Sequence, residues 1–507
     1  MNISQKAEVE APGEERSASR PSGRRISRGD ALKALAGGAL VVGFSAATGS
    51  WVTEARAAEA GRFARLPRLD GSLHLDGATR EAYADDFGHI VSEKPLAVLK
   101  PGSVEDVAAV IRFARCYGIR VVGRGAGHTT FGQSQARAGV VVDSGTLREV
   151  HQISEDSVIV DAGVRWEPLL RATLERGLTP PVLTDYLGLS VGGTLSVGGV
   201  GGTTHEHGTQ VDNVLELQVV TGEGKISVCS ETRNGDLFLA ALAGQGQCAV
   251  ITRATLRLVP APASVRIYDL AYPDLPTLIE DLKLLIDDGR FEFVTGWAFP
   301  TPGGGWFHLL EATKHFTPPD LPNDDGLLEG LNHAPGSESV RDEGYFAFAN
   351  RLADLPGSDI WPLPHPWIDP IVPGSVAESF IGWVEETLKP LADGDRFQVL
   401  MLPFKTARFT RPLFRAPDEE EAIQLGILRT APEDPAAVEE IVAYNRTLYD
   451  RNRDLGGSNY PISAVRLTRR DWERHYGPQW KRLLRAKRRH DPDNVFASGP
   501  DIFGAVR

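Results

Sequence analysis

The stretch Gly123-Arg-Gly-Ala-Gly-His-Thr-Thr-Phe-Gly132 places three alternating glycines directly before a histidine. Glycine lets a backbone approach a bulky ligand closely, and successive backbone N–H groups in such a loop form a nest for anions. A nicotinamide-binding fingerprint would read Gly-x-Gly-x-x-Gly and open a helix, whereas this loop runs between strands predicted at Val122 and Val140. The pattern therefore predicts a ligand-binding loop that is not a Rossmann turn.

Helix and strand signals alternate on both sides of this loop. Ser103 and Asp106 form a capping box at the start of a predicted helix, and Gly118 stands where that helix should end. Hydrophobic periodicity predicts strands over 119–122, 140–142 and 249–259, a helix over 166–176 and a hairpin over 214–230. Pro260 and Pro262 close the last strand, and we place a domain boundary there.

A second glycine-rich stretch runs from Gly192 to Gly202 and contains six glycines. Each glycine would lower the stability of a helix by about 1 kcal/mol relative to alanine, so this many glycines indicate a structural or binding role. Close packing against a flat or phosphorylated ligand, with hydroxyls from Thr194 and Ser196, would supply one. A flexible surface loop is the alternative, and this stretch alone does not separate the two.

The composition excludes several classes of protein. A chain of 507 residues that is 42% hydrophobic is neither a disordered tail nor a collagen-like fibre, and its length allows two or three cores. A net charge of -13 argues against a nucleic-acid groove, which needs clustered Lys and Arg. Three cysteines are too few for a disulfide framework or a Cys-rich metal site. Redox chemistry would therefore need an organic cofactor.

The first 57 residues have the features of an export signal. Arg24-Arg25 precedes an apolar stretch from about Ala34 to Ala47, which is too short and too rich in Ala and Gly to span a bilayer stably. Ala55-Arg56-Ala57 offers small residues for cleavage. We predict a twin-arginine signal over residues 1–57 and an exported protein without a stable membrane span, the alternative being a disordered basic tail.

The second half of the chain has a different composition. From about Ser264, predicted strands carry aromatic residues, and the polar stretch from Pro318 to Asp342 predicts a mobile loop. A basic helix is predicted over 480–490. The aromatic residues of the strands are Phe291, Phe293, Trp297, Phe299, Trp306 and Phe307.

Motifs that follow one another from Gly125 to Asp493 resemble the FAD-linked oxidases of the vanillyl-alcohol oxidase fold and, more closely, the cytokinin dehydrogenases. Because they are collinear along most of the chain, chance is a poor explanation. The matching segments are 125–135, 180–187, the second glycine-rich stretch, His207-Gly208, Asn213-Val214, 244–252, Pro364-His-Pro-Trp367, Val372-Pro373 and His490-Asp-Pro-Asp493.

The resemblance implies an α+β fold with two parts. One is a PCMH-type FAD-binding domain made of two α/β subdomains, expected over residues 80–262. The other is an α+β substrate-cap domain built on an antiparallel sheet, expected over 263–454. The C-terminal segment 455–507 is expected to complete the FAD domain.

The resemblance also implies where the cofactor is held. The histidine of the family's Gly-His-Ser/Thr loop bonds covalently to the 8α-methyl of FAD, and His128 stands at that place. A second linkage would need a cysteine, and none of the three is in a matching position, so one histidyl linkage is expected. Further cofactor contacts are implied for Gly123, Gly125, Ala126, Gly127, Thr129, Gln133, Ser134, Asp185, Ser190, Ser196, Val200, Ile251 and Tyr460.

Asp185 is the expected catalytic residue. Flavin oxidation of an amine requires that the N–H proton be held or removed while hydride leaves the neighbouring carbon, and a carboxylate within hydrogen-bond reach does this. In cytokinin dehydrogenases the matching aspartate accepts the hydrogen bond of the substrate's secondary amine. A capping or turn role is the alternative for any such aspartate.

Two departures from the family pattern concern the substrate and the flavin. Thr295 stands where the family tends to carry a substrate-binding glutamate, and the glutamine expected near the C-terminus is missing, with Ser498 or a backbone group as a replacement. Four aromatic residues are candidates to border the substrate, although aromatics in strands more often belong to the core. They are Trp297, Phe299, Trp367 and Tyr460.

The expected activity is oxidation of the secondary amine of an N6-alkyladenine to adenine and an aldehyde, with oxygen or a quinone-like molecule as the electron acceptor. A sugar, alcohol or phenol oxidase on the same fold is one alternative, because fold does not fix substrate. A binding protein without turnover is another. A metal site at His205-Glu206-His207 is disfavoured, since two imidazoles at that spacing share a face only in a strand.

Overall fold

The computed structural model describes residues 41–45, 50–53, 61–390, 394–497, 499 and 501–504. Residues up to Arg65 and residues from Leu66 onward form separate units. In the first unit, strands β1 (Val41–Ser45) and β2 (Ser50–Thr53) pair antiparallel. The export signal expected over residues 1–57 lies largely outside the described residues. It stays a prediction, which fractionation of cells expressing the full chain would test.

The helices of the second unit begin and end close to the positions that the sequence predicts. Ser103 caps α2 by accepting a hydrogen bond from the Asp106 N–H, and Gly118 ends the helix with φ of 63°. No helix in the described part of the chain combines the length and apolarity needed to cross a bilayer. The helices are α1 (Gly77–Ala82), α2 (Val104–Tyr117), α3 (Trp166–Leu174), α4 (Val191–Leu195), α5 (Thr204–His207), α6 (Gly235–Ala241), α7 (Leu275–Asp288), α8 (Asp324–Leu328), α9 (Tyr345–Ala349), α10 (Ala377–Thr387), α11 (Pro435–Asp454), α12 (Arg469–Tyr476) and α13 (Trp480–His490).

A four-stranded sheet carries the first glycine-rich loop. Its order is β3-β4-β6-β5, and β6 runs parallel to both β4 and β5. The loop leaves β5 at Gly125 and returns to the sheet at β6, as the flanking strand signals predict. The strands are β3 (Ser72–His74), β4 (Ala97–Lys100), β5 (Val121–Arg124) and β6 (Val140–Asp143).

A five-stranded antiparallel sheet lies next along the chain, in the order β11-β10-β12-β8-β7. The predicted hairpin is confirmed, because β10 and β11 pair antiparallel from Glu216 opposite Ser230 to Val220 opposite Ile226. The strands are β7 (Val150–Ile153), β8 (Ser157–Asp161), β10 (Val214–Thr221), β11 (Ile226–Ser230) and β12 (Ala249–Arg257), while the short β9 (Leu178–Thr179) and β13 (Val259–Pro260) pair with each other.

The second half of the chain forms an eight-stranded antiparallel sheet in the order β17-β14-β16-β15-β19-β20-β18-β21. One face packs on α7 and α10 in a core that includes Leu282, Phe380 and Val399. Side chains alternate between the two faces of a strand, so the opposite face is left to line a cavity. The strands are β14 (Ser264–Tyr272), β15 (Phe293–Pro300), β16 (Trp306–Phe316), β17 (Ser339–Gly344), β18 (Pro370–Pro373), β19 (Arg396–Lys405), β20 (Glu421–Thr430) and β21 (Ser458–Asn459).

The structure corrects the loop predicted from Pro318 to Asp342. That segment contains helix α8, and its end forms the edge strand β17, which pairs with β14. Arg266 of β14 holds both parts, because its guanidinium pairs with Asp324 of α8 at 3.0 Å and with Asp342 of β17 at 2.7 Å. The polar composition therefore reflects an ion-paired sheet edge.

The C-terminal segment forms hydrogen bonds with two of the sheets. Strand β21 joins the edge of the eight-stranded sheet beside β18, whereas α13 contacts α6 of the preceding half. After α13, the Val495 carbonyl accepts a hydrogen bond from the Val121 N–H at 2.9 Å. Residues from Leu66 onward form one compact unit, so the boundaries at 262 and 454 stay a prediction.

A buried ion pair fixes this C-terminal segment. Lys487 of α13 donates to Asp491 Oδ2 at 2.6 Å and to the carbonyls of Gln247 and Phe496 at 2.9 Å each. Asp491 in turn accepts from the N–H groups of Val495 and Phe496. The pair thus ties the chain end to the glycine-rich half.

Replacing Lys487 with methionine is expected to destabilise the protein by about 3–5 kcal/mol, because it leaves the Asp491 carboxylate buried without its cation. The matched control is Arg489→Ala on the same helix, whose exposed pair with Asp236 is worth about 0–1 kcal/mol. Thermal unfolding followed by circular dichroism checks both variants. Equal midpoints for the two would contradict the prediction.

Candidate active site

One cavity of about 850 Å³ is lined by both glycine-rich stretches, by the open face of the eight-stranded sheet and by Phe496 near the chain end. It brings together almost all of the predicted site residues. Two are exceptions: Thr295 is not in the lining, and Ser498 lies outside the described residues. The predicted residues in the lining are Gly123, Gly125, Ala126, Gly127, His128, Thr129, Gln133, Ser134, Asp185, Ser190, Ser196, Val200, Ile251, Trp297, Phe299, Trp367 and Tyr460.

His128 lies in the cavity wall with its ring fixed by stacking. The Phe87 ring stacks on it with 3.8 Å between centroids, and His365 stacks on the other side of Phe87 at 4.1 Å. Burial lowers the pKa of the His128 imidazole to about 3, so the ring is neutral at ordinary pH. Within the described residues its Nε2 has no hydrogen-bond partner. The site thus holds a neutral imidazole that is free to engage a ligand.

A buried carboxyl group anchors the histidine loop. Asp86 Oδ2 accepts from the Thr129 hydroxyl at 2.6 Å and from the Gly132 N–H at 2.7 Å. Burial raises the pKa of Asp86 to about 6. The backbone adds a further tie, because the Phe87 N–H donates to the Gly127 carbonyl at 2.9 Å. The stacked Phe87 ring and the histidine loop are therefore positioned by the same short segment.

Glycine is required where the two loops meet. A Cβ on Gly125 would lie 1.9 Å from Ser190 Oγ, and Gly127 adopts φ of +72°. Ser190 stands at the start of α4, and its hydroxyl has no partner among the described residues. The second glycine-rich stretch is thus a short helix and turn in the cavity wall, which favours the ligand-packing reading over a surface loop.

Residues near the chain end close the cavity from another side. The Tyr460 hydroxyl accepts a hydrogen bond from the Gly199 N–H at 3.0 Å. Gln133 Nε2 donates to the Ile462 carbonyl at 3.0 Å, and its Oε1 accepts from the Phe131 N–H. Both contacts hold the C-terminal segment against the glycine-rich loops.

Asp185 reaches the cavity as part of an ion pair that the sequence did not predict. Arg351 Nη2 donates to Asp185 Oδ1 at 2.9 Å, and the same nitrogen lies 3.6 Å from Glu311 Oε1. Arg351 follows α9, and its guanidinium lies over the Phe348 ring at 4.5 Å from the centroid. All three charged residues line the cavity. One cation therefore lies between two carboxylates at the wall.

Thr295 does not take the place of the family glutamate. It lies on the cavity side of β15, opposite Glu311 on β16, but its short side chain is buried and does not reach the lining. Its hydroxyl donates instead to the Glu311 carbonyl at 3.5 Å. The carboxylate that reaches the cavity at this level of the sheet is the cross-strand partner, Glu311.

Aromatic rings line the same sheet face. Trp297 and Phe299 stack at 5.8 Å between centroids, and both line the cavity. Trp367 lies near His128, with 6.1 Å between ring centroids, and its buried Nε1 has no hydrogen-bond partner in the described part of the chain. The cavity therefore offers flat apolar surfaces and an unused donor.

The metal alternative at His205 and His207 does not fit the structure. Both residues lie on the short helix α5, and the two ring nitrogens of His205 face the carbonyls of Gly202 and Phe291 at 3.0 and 3.1 Å. Those nitrogens are already engaged. The described residues do contain one cluster with metal-ligand spacing, Glu149, His151 and Asp161, but Asp161 there pairs with Arg253 at 3.0 Å.

Comparison with known proteins identifies the family. A model described as "FAD binding domain" matches residues 95–230, and one described as "Cytokinin dehydrogenase 1, FAD and cytokinin binding" matches residues 299–503. Cytokinin dehydrogenase 4 of Oryza sativa subsp. japonica is 34% identical over 483 residues, covering 86% of this chain and 90% of the relative. The chain belongs to the cytokinin dehydrogenase family of FAD-dependent oxidoreductases.

Two further proteins are similar to this chain. An uncharacterized oxidoreductase, ORF5 in the fasciation locus of Rhodococcoides fascians, is 40% identical over 437 residues, covering 85% of this chain and 99% of the relative. The crystal structure of 6-hydroxy-D-nicotine oxidase from Arthrobacter nicotinovorans superposes with a TM-score of 0.69 at 21% identity, covering 86% of this chain and 99% of that one. This likeness confirms the fold expected from the resemblance.

The cavity of this flavoenzyme suits FAD. Its wall contains the bare glycine backbone at Gly125, together with the Ser190 hydroxyl and the His128 imidazole nitrogen, neither of which has a partner among the described residues. Such orphaned buried groups cost free energy unless a ligand satisfies them. The glycine-rich loops and Tyr460 could hold the cofactor, which would leave Asp185 and the aromatic sheet face for a substrate.

Proposed function

We propose that the enzyme oxidises the secondary amine of an N6-alkyladenine and yields adenine and an aldehyde. The observation that carries the proposal is the placement of the Asp185 carboxylate in the same cavity wall as His128 and the aromatic sheet face. The relatives named cytokinin dehydrogenases support the substrate class. Oxygen or a quinone-like molecule is the proposed electron acceptor.

Different side chains of the cavity have separate roles in the proposed reaction. Bound FAD supplies the acceptor for two electrons and the hydrogen of the carbon next to the amine nitrogen. Asp185 accepts the hydrogen bond of that amine through Oδ2, since Arg351 occupies Oδ1. The N–H proton passes to Asp185, and water then hydrolyses the resulting imine to the aldehyde and the free amine. Trp297 and Phe299 offer surfaces for the adenine ring.

We also propose that His128 holds FAD covalently through a single linkage. The neutral imidazole, whose Nε2 has no partner in the described part of the chain, supports this role, because only the neutral ring has a lone pair to give. His128 would hold FAD by a carbon–nitrogen bond that replaces one carbon–hydrogen bond of the 8α-methyl, and the enzyme's electron acceptor would take up the two electrons and the protons released.

Anaerobic mixing of the oxidised enzyme with a substrate panel tests the proposed reaction. We expect an N6-alkyladenine with an unsaturated side chain to bleach the flavin absorbance and to release adenine. Bleaching by a sugar, an alcohol or a phenol, without bleaching by any N6-alkyladenine, would favour the alternative oxidase. A yellow protein that no compound reduces would favour a binding protein.

A further inference from the structure

The Asp185 side chain receives its hydrogen bond from a single residue. Arg351 Nη2 donates to Asp185 Oδ1 at 2.9 Å, and no other hydrogen bond to this carboxylate forms among the described residues. The side chain of Asp185 keeps 22% of its surface exposed and lies in the cavity lining. Oδ2 is therefore the oxygen left for a ligand, and the contact with Arg351 sets its direction.

The guanidinium of Arg351 is itself held on several sides. It lies over the rings of Phe348 and Phe293, at 4.5 and 5.2 Å from their centroids. Nη1 donates to the Phe348 carbonyl at 3.3 Å, and Nη2 lies 3.6 Å from Glu311 Oε1, which is within ion-pair range. Because a planar guanidinium stacks on aromatic faces and bonds at its edge, these contacts fix it in one orientation. Arg351 is thus a rigid support for the Asp185 carboxylate.

The charges around Asp185 act in opposite directions. Arg351 favours the carboxylate form of Asp185, whereas the anion of Glu311 disfavours it. The cation is in direct contact with Asp185, so its effect outweighs that of Glu311, because Coulomb energy falls with distance. The other charged groups that act on Glu311, or on Tyr186 next to Asp185, are Asp269, Arg341 and Arg165.

We propose that Arg351 is a positioning residue of the reaction, which holds Asp185 as a carboxylate with Oδ2 toward the substrate nitrogen. This inference rests on the proposed function, in which Asp185 takes the N–H proton of the substrate. One proton moves from the amine nitrogen to Oδ2, and the Asp185 side chain becomes neutral. Arg351 bonds to the other oxygen, so its effect on the reaction passes through Asp185.

Arg351→Met is expected to lower the limiting rate of anaerobic flavin reduction by about 10- to 100-fold, the range for a reacting group that is no longer held in place. The dissociation constant of the N6-alkyladenine, measured by the perturbation of the oxidised flavin spectrum, should change far less. Arg351→Lys keeps the cation and should recover part of the rate. The matched control is Arg396→Met, which removes an exposed arginine of the cavity rim, paired with Asp359 at 3.3 Å, and should keep the wild-type rate.

The pH dependence of the limiting rate separates positioning from a general loss of structure. We expect the rate to fall at low pH as Asp185 takes up a proton from solvent. In Arg351→Met this fall should move to higher pH by about one unit or more, because the carboxylate has lost its cation. In Glu311→Gln it should move to lower pH, because the opposing anion is gone. A general disruption of the cavity would not shift the two profiles in opposite directions.

Chemical rescue adds a measurement that requires no second substitution. Arg351→Ala removes the guanidinium and leaves space beside Asp185. Free guanidinium added to this variant should raise its limiting rate. Urea, a neutral molecule of the same shape, should not do so at the same concentration, and sodium chloride controls for ionic strength.

The outcomes separate this inference from the proposed function. Opposite shifts of the two profiles, with an unchanged rate in Arg396→Met, support it. A wild-type rate in Arg351→Met, or profiles that coincide with that of the wild type, overturn it while the proposed reaction stands. Should Arg351→Met fail to fold, an unshifted profile in Glu311→Gln overturns it.

A different substrate would overturn the proposed function first. If only another compound of the panel reduces the wild-type flavin, the N6-alkyladenine reaction is excluded, and the same variants measured with that compound decide the role of Arg351. If no compound reduces the wild-type enzyme, both the reaction and the positioning role are overturned.

Discussion

His128→Ala is expected to abolish covalent attachment of FAD completely. The imidazole is neutral, half-buried in the cavity wall and without a partner at Nε2 among the described residues, and alanine offers no nucleophile in its place. Acid precipitation of the purified protein measures the effect. We expect a yellow pellet from the wild type and a colourless pellet with free FAD in the supernatant from the variant. FAD bound without the linkage can remain before denaturation.

A matched control is His365→Phe. This residue is a buried histidine in the same stack, but the Phe87 ring lies between it and His128. Phenylalanine preserves the stacking surface, so the pellet should stay yellow. A yellow pellet from His128→Ala would show that another residue carries the linkage, and a colourless pellet from wild type would show that no linkage forms.

Much of the fold could be predicted because its signals are local. The cap at Ser103, the left-handed Gly118 and the hairpin after Val214 each depend on a few neighbouring residues. The glycine loop with His128 could be placed for the same reason. The segment before Asp342 could not, since its strand forms only through pairing with β14 and through an ion pair with the distant Arg266.

Glu311 and Arg351 were missed for the same reason, because long-range contacts bring them to the site. Glu311 reaches the cavity through the register of β15 and β16, which no local pattern specifies, and Arg351 reaches Asp185 across 166 positions of the chain. Once the pairing of β16 with β15 is known, every second residue of β16 is expected to face the cavity, and Glu311 is one of these. For Arg351 no such signal exists in the sequence.

Asp185→Asn is expected to lower the limiting rate of flavin reduction by about 10²–10⁴-fold, the range for loss of a positioned acid–base group. Asparagine keeps the size of the side chain but cannot take the amine proton, and its amide can point a donor at the substrate N–H. It also removes the anion that faces Arg351 Nη2 at 2.9 Å. Stopped-flow mixing with an N6-alkyladenine under nitrogen measures the rate.

The matched control for this variant is Asp359→Asn. Its carboxylate is largely exposed at the cavity rim and pairs with Arg396 at 3.3 Å, which is a surface contact of little energetic weight. We expect its limiting rate to match that of the wild type. Both variants should give the same pellet colour as the wild type after acid precipitation.

The role of Asp185 follows from whether the variant changes the limiting rate of flavin reduction or the dissociation constant of the substrate. If the carboxylate only attracted the substrate, asparagine would raise the dissociation constant and leave the limiting rate intact. If it takes the proton during oxidation, the limiting rate falls even when the site is saturated. Glu311 and Arg351, which also line the cavity, are unchanged in the variant, so we expect the loss to fall on the rate. A variant that reduces its flavin at the wild-type rate would exclude Asp185 from the chemistry.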